Sequence, residues 1–249
     1  RVWMLCLFWV VLILFSLSTT KIIHYSSMAY IPLSFLAAVF MHKLILGEES
    51  WKKYQTILLG FIGFIWVVLL TALPLVMKNK ESLFPYINDP FAVDSMGTEI
   101  YWSGYEFLIG IFFLIGLIFS ILFILRKQIQ KGLITSALTV GVTLLMVLFI
   151  ILPKIEGFTQ GPVVDFYQSI QEEDCYTESY GYKSYAQYYY FNQPSDLSEK
   201  RKDRDWLLNG DIDKPVYFVS KSTNLELDSH PNFKLVGKKG GFRFYKRDI

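Results

Sequence analysis

Apolar residues run almost unbroken over five stretches of the chain: Val2 to Ser18, Met28 to Leu46, Thr56 to Met77, Phe107 to Leu125 and Leu133 to Leu152. A bilayer core takes about 20 apolar residues of helix, so each stretch predicts a transmembrane span. His42 and Lys43 lie near the end of the second stretch, where a long side chain carries its charge out to the interface. No Asp, Glu, Lys or Arg falls at mid-depth in any of the five, which argues against a proton-coupled transporter or an ion pump.

From Lys154 onward the pattern changes to that of a small water-soluble domain. Val163, Phe166, Tyr167 and Ile170 recur at helical spacing behind Gly161-Pro162, which predicts a helix from Val163 to Glu173. A second helix is predicted from Asp196 to Asn209, with Pro194 before it, an Asp196/Glu199 pair to cap its first turn and Gly210 to stop it. Between the two, the tyrosine-dense segment Cys175 to Phe191 has room for a strand and a short helix. Pro215 to Val219 reads as a buried strand, and Phe233 to Val236 and Phe242 to Tyr245 as a closing hairpin around Gly237 to Gly241. The fold class is therefore membrane all-α with about five transmembrane helices, residues 1–153, plus a small C-terminal α/β domain, residues 154–249.

The connection from Lys78 to Tyr105 is rich in Pro, Asn, Asp, Gly and aromatics and predicts irregular backbone with a short amphipathic piece. Phe84-Pro85-Tyr86 and Ile100-Tyr101-Trp102 have the composition of interfacial anchors. Short cytoplasmic loops carry the excess of Lys and Arg, and Arg126 to Lys131 is the strongest such signal. Placing that loop inside also puts Arg1, Lys43, Lys52 and Lys53 inside. The polar tip between the first two spans, the Lys78 to Tyr105 connection and the C-terminal domain then fall outside.

Composition agrees with a membrane protein: of 249 residues, 53% are hydrophobic and 17% aromatic. A net charge of +2 with scattered basic residues sets nucleic acid aside as a partner. Cys6 sits in an apolar run and Cys175 in the polar part, so the two are not expected to pair. The first run is too long for a signal peptide and lacks a small-residue cleavage site. With Arg1 where an initiating Met would stand, the sequence reads as the C-terminal part of a longer membrane protein.

Candidate chemistry concentrates in the tip. Lys21 and His24 lie between two apolar runs, three residues apart, and share a face if the tip is helical. Lys21 is either an interfacial lysine that only sets topology or, on an outer face where the positive-inside rule predicts no cation, a contact for phosphate. His24 is a structural group or an acid, base or donor; Tyr25 reads as an interfacial aromatic with its hydroxyl toward the polar side. The three histidines, His24, His42 and His230, are too scattered to converge on one metal, and no P-loop or dinucleotide fingerprint occurs, so no metal or cofactor is expected. Tyr176, Tyr180, Tyr182, Tyr185, Tyr188, Tyr189 and Tyr190 either pack in a core and its interfaces or line a sugar-binding surface.

Leu14-Phe15-Ser16, then Thr20-Lys21-Ile22-Ile23-His24-Tyr25, then Ile31-Pro32-Leu33-Ser34-Phe35-Leu36-Ala37-Ala38 resembles the second half of bacterial membrane glycosyltransferases of the multi-spanning GT-C class. These are the relatives of protein O-mannosyltransferases and of the aminoarabinose transferase acting on lipid A. The likeness covers roughly residues 10 to 40; beyond them only the architecture matches. One departure is that the family often has Pro soon after the Tyr, where this chain has Ser26-Ser27 and Pro only at Pro32. The resemblance implies transfer of a sugar from a polyprenyl-phosphate carrier to an acceptor outside the bacterial cytoplasmic membrane, with no cofactor. It implies that Lys21, Tyr25 and His24 meet the carrier phosphate. The family's catalytic base is an acidic residue of the first outer loop, which has no counterpart here. The competing reading is a non-catalytic membrane-anchored protein whose outer domain binds a partner or glycan.

Overall fold

The computed structural model describes residues 1–17, 26–191 and 203–249. Its helices are α1 (Val2–Leu17), α2 (Tyr30–Leu46), α3 (Lys53–Lys78), α4 (Pro90–Met96), α5 (Leu108–Leu125), α6 (Ile129–Met146), α7 (Leu152–Thr159), α8 (Gly161–Ser169), α9 (Ala186–Tyr190) and α10 (Arg204–Asn209). Its strands are β1 (Tyr176–Tyr180), β2 (Val216–Lys221), β3 (Lys234–Lys239) and β4 (Phe242–Arg247).

Among the described residues, four helical segments are long and apolar enough to cross a membrane: Ser27–Leu46, Lys53–Lys78, Leu108–Leu125 and Ile129–Thr159. They coincide with the second to fifth apolar runs. The first run differs. α1 has 16 residues, about 24 Å at 1.5 Å per residue, against a core of about 30 Å; residues 18–25 lie outside the described residues. The fourth segment is continuous from α6 to α7 through a π turn at Val147–Ile151, in which Leu152 N–H donates to the Val147 carbonyl. Pro153 supplies no N–H to the turn before it, and the wider turn takes up that break.

The chain divides into two compact units, residues 1–70 with 108–144 and residues 71–107 with 145–249. In the first, α1 packs on α2, and α5 meets α6 through small residues. A Cβ on Gly116 would collide with Thr139, and Ser120 Oγ donates to the Gly132 carbonyl at 2.9 Å. Such close backbone approach is how apolar helices associate where lipid removes the hydrophobic drive between them. Large apolar side chains such as Trp3, Ile57, Phe61 and Leu138 stay exposed, as a lipid-facing surface requires.

The second unit contains a four-stranded sheet in the order β1-β2-β4-β3. β1 runs parallel to β2; β4 is antiparallel to both β2 and β3. β2 is the buried centre, and its alternation feeds two cores. Tyr217 and Val219 face Val163, Tyr167 and Ile170 of the α8 side with Phe242 and Phe244, while Val216 and Phe218 face Leu207, Ile212, Leu227, Phe233 and Tyr245. The expected strand and short helix between Cys175 and Phe191 are β1 and α9.

Three boundaries differ from expectation for local reasons. α8 starts at Gly161 and ends at Ser169, earlier than Glu173. The helix expected from Asp196 is not continuous through 203: Asp203 is extended and caps α10, accepting from Asp205 N at 2.9 Å and Trp206 N at 3.3 Å. Asp196 and Glu199 lie outside the described residues. In the hairpin, β3 continues to Lys239 because a bulge between Leu235 and Gly237 absorbs one residue, leaving Gly240-Gly241 as the turn.

Candidate functional site

The site lies within the second unit, where the segment between α3 and α5 meets the sheet. Pro90 opens α4 at a position that needs no N–H, and Asp89 caps it by accepting from Phe91 N at 2.9 Å. Phe91 and Ser95, four residues apart, share one helix face. The Gly240-Gly241 turn is pressed against that face: a Cβ on Gly241 would collide with Ser95 Oγ and come within 2.7 Å of the Phe91 ring. Only glycine allows that approach. Phe91 also meets Phe242 edge to face at 5.5 Å, and Lys238 pairs with Asp94 at 3.5 Å. This segment and the C-terminal domain are thus one body, and lie on one side of any bilayer that the helices cross.

Between α4, the α7–α8 junction, the segment from β1 into α9 and the start of β4 lies a cavity of about 490 Å³, within the usual range for small-molecule sites. Phe91, Met96, Phe158, Val163 and Phe242 make its walls apolar, and Lys183 is the one charged residue among those lining it. Two more ammonium groups lie against rings of the wall: Lys80 Nζ and Lys221 Nζ are 4.9 Å from the ring centroids of Phe158 and Phe91. Ser95 is only 8% exposed, and its hydroxyl has no hydrogen-bond partner among the described residues. The fully buried Tyr167 hydroxyl is likewise unpartnered among them, and burial, reinforced by Tyr182 and Glu178, pushes it well above the ordinary phenol range. Burial does the same to Tyr182 in the cavity wall.

A second polar constellation sits just before α5. The Glu106 side chain is buried and pairs with Lys154 Nζ at 2.8 Å. It also accepts from Ser103 N and Oγ at 2.9 Å and from Gly104 N at 2.8 Å. Lys154 in turn donates to the Tyr101 carbonyl at 2.6 Å and lies 5.2 Å from the Trp102 ring centroid. Burial alone would raise the Glu106 pKa, but the hydrogen bonds from Lys154, Ser103 and the backbone outweigh it and hold the group down at about 2. With three donors on Oε1 and one on Oε2, this carboxylate is a staple between the α3–α5 segment and α7.

The low folded pKa fixes a pH dependence. Glu106 contributes its stability fully above its ordinary value of 4.5, and that contribution is lost as the pH falls through 4.5 toward 2. The unfolding temperature in lipid nanodiscs is expected to drop over that interval in the wild type and to drop less in Glu106→Gln. Equal acid sensitivity in the two proteins would reject the staple.

Lys21, His24 and Tyr25, the residues that sequence singled out, lie outside the described residues. Among the described residues, no group of three His, Cys, Asp or Glu side chains is placed to hold a metal ion. The tyrosines divide: Tyr182 and Tyr190 pack against the first core and Tyr176 and Tyr180 against the second, whereas Tyr185, Tyr188 and Tyr189 remain exposed. Tyr86 and Tyr101 are exposed, but Trp102, expected as an interfacial anchor, is buried at 6% exposure against Lys154. Sequence reasoning missed Ser95, Lys183, Glu106 and the cavity. The Asp89-Pro90 helix start was the available signal for α4, and nothing local marks the turn that meets it. Compared with protein-family models, curated proteins and solved structures, the chain matches none.

Proposed function

We propose that the chain serves an integral membrane glycosyltransferase of the bacterial cytoplasmic membrane, moving a sugar from a polyprenyl-phosphate carrier to a lipid, glycan or protein acceptor on the outer side. The observation that carries the reading is one of parity. Two helices long enough to cross a membrane, Ser27–Leu46 and Lys53–Lys78, separate the Lys21/His24/Tyr25 segment from the body that holds the cavity. If both cross, segment and body share a side, as sugar transfer on one face of the membrane requires. The positive-inside rule makes that the outer side, with Arg126 to Lys131 in the cytoplasm.

In this reading Lys21 meets the carrier phosphate and stabilises the charge that develops as the phosphate leaves the sugar, with His24 and Tyr25 beside it. The catalytic base is assigned to no residue of this chain. The test is to incubate membranes containing the full-length protein with radiolabelled polyprenyl-phosphate sugar. Protein-dependent release of polyprenyl phosphate, with label passing to an acceptor, supports the reading. Intact carrier across a panel of sugars would favour a non-catalytic outer domain that binds a partner or glycan.

A further inference from the structure

We infer that the cavity in the second unit is a binding site for a single-chain anionic amphiphile, whose chain lies between Phe91, Phe158, Val163 and Phe242 and whose head meets Lys183. This stands on the cavity alone and holds whether or not the chain transfers sugar.

The walls favour an apolar body, because apolar side chains make up most of the lining, with Ser95, Thr159, Gln160, Tyr182 and Ser184 as its neutral polar groups. Charge selects the head. No carboxylate lines the cavity, and among the described residues Lys183 and Lys221 make no ion pair. Lys80 is different, since Glu81 and Glu99 stand near it. A carboxylate or phosphate head therefore finds Lys183 on the lining and no carboxylate there, the acid felt by a lining residue being Glu178, which acts on Tyr182. The buried Ser95 hydroxyl is a further donor within the lining and has no other partner among the described residues. A neutral amphiphile would gain the walls but not a charge-assisted contact to Lys183, whose ammonium lies 5.5 Å from the Tyr185 ring centroid and has no carboxylate partner among the described residues. The volume suits one chain rather than a two-chain phospholipid.

The test is photocrosslinking of the full chain in nanodiscs of zwitterionic lipid, using a diazirine-bearing hexadecanoic acid and the matching hexadecanol. Both probes partition into the bilayer and label the lipid-facing residues of α5 alike, which calibrates them. The acid is expected to label the segments 91–96 and 158–163 several-fold more than the alcohol does. Lys183→Gln, a change at an exposed position, is expected to abolish that difference without altering α5 labelling. Ala92→Phe, which fills part of the cavity, should remove labelling by both probes. Equal labelling by acid and alcohol, an unaltered ratio in Lys183→Gln, or labelling confined to α5 would each overturn the inference.

Discussion

Lys21→Ala in the full-length protein is expected to lower sugar transfer by roughly a hundredfold or more, the usual cost of removing one preorganised contact to charge that develops in a transition state. In the proposed transfer, the carrier phosphate gains negative charge as the glycosidic bond breaks. A compact ammonium in that role, at the edge of the hydrocarbon, would interact with that charge more strongly than in bulk water. Because the contact strengthens toward the transition state, the loss should fall on kcat more than on KM. Lys21→Arg keeps the charge but spreads it over a planar fork, so it is expected to retain part of the activity. Expression and thermal stability should match the wild type, since nothing in the reading makes this lysine a packing residue. Unchanged turnover in Lys21→Ala would reject the assignment.

Glu106→Ala is expected to destabilise the second unit by roughly 3 kcal/mol, as measured by thermal unfolding in nanodiscs. The figure follows from the buried pair itself. Removing one partner of a buried ion pair typically costs about 3–5 kcal/mol, and Lys154 recovers some of that through the Tyr101 carbonyl and the Trp102 ring. The lowered Glu106 pKa, held down by Lys154, Ser103 and the backbone against its burial, has the same sign. Lys154→Met in the same background should restore part of the loss, because the stranded charge rather than the missing carboxylate carries much of the penalty. A shift no larger than that of an exposed control such as Glu172→Ala would contradict the arrangement.

The range of each interaction decides how much of it sequence made legible. The membrane-length helices were readable because lipid imposes a simple rule, a run of about 20 apolar residues, and four runs obey it among the described residues. β2 was readable because burial on both faces leaves the continuous apolar run Val216 to Val219. The cap at Asp203 was missed because Asp196 offered an equally good local signal, and capping potential alone does not rank two aspartates. Trp102 was misassigned because aromatic composition is the same at an interface and in a packed corner; its burial depends on Lys154, far along the chain. The cavity was invisible for that reason too. It exists only where Phe91 and Ser95 meet a glycine turn from the far end of the sequence.

The proposed sugar transfer, with Lys21 at the carrier phosphate, requires the cavity-bearing body to lie on the outer side of the membrane. Thr223, an exposed residue in the loop after β2, reports that side without disturbing either site. Thr223→Cys should be introduced together with Cys6→Ser, which leaves the buried Cys175 as the other thiol within residues 1–249, and the Cys6→Ser protein alone serves as the background. A membrane-impermeant maleimide added to intact cells is then expected to label the protein. Labelling that appears only after the cells are permeabilised would put the cavity-bearing body in the cytoplasm and contradict the account.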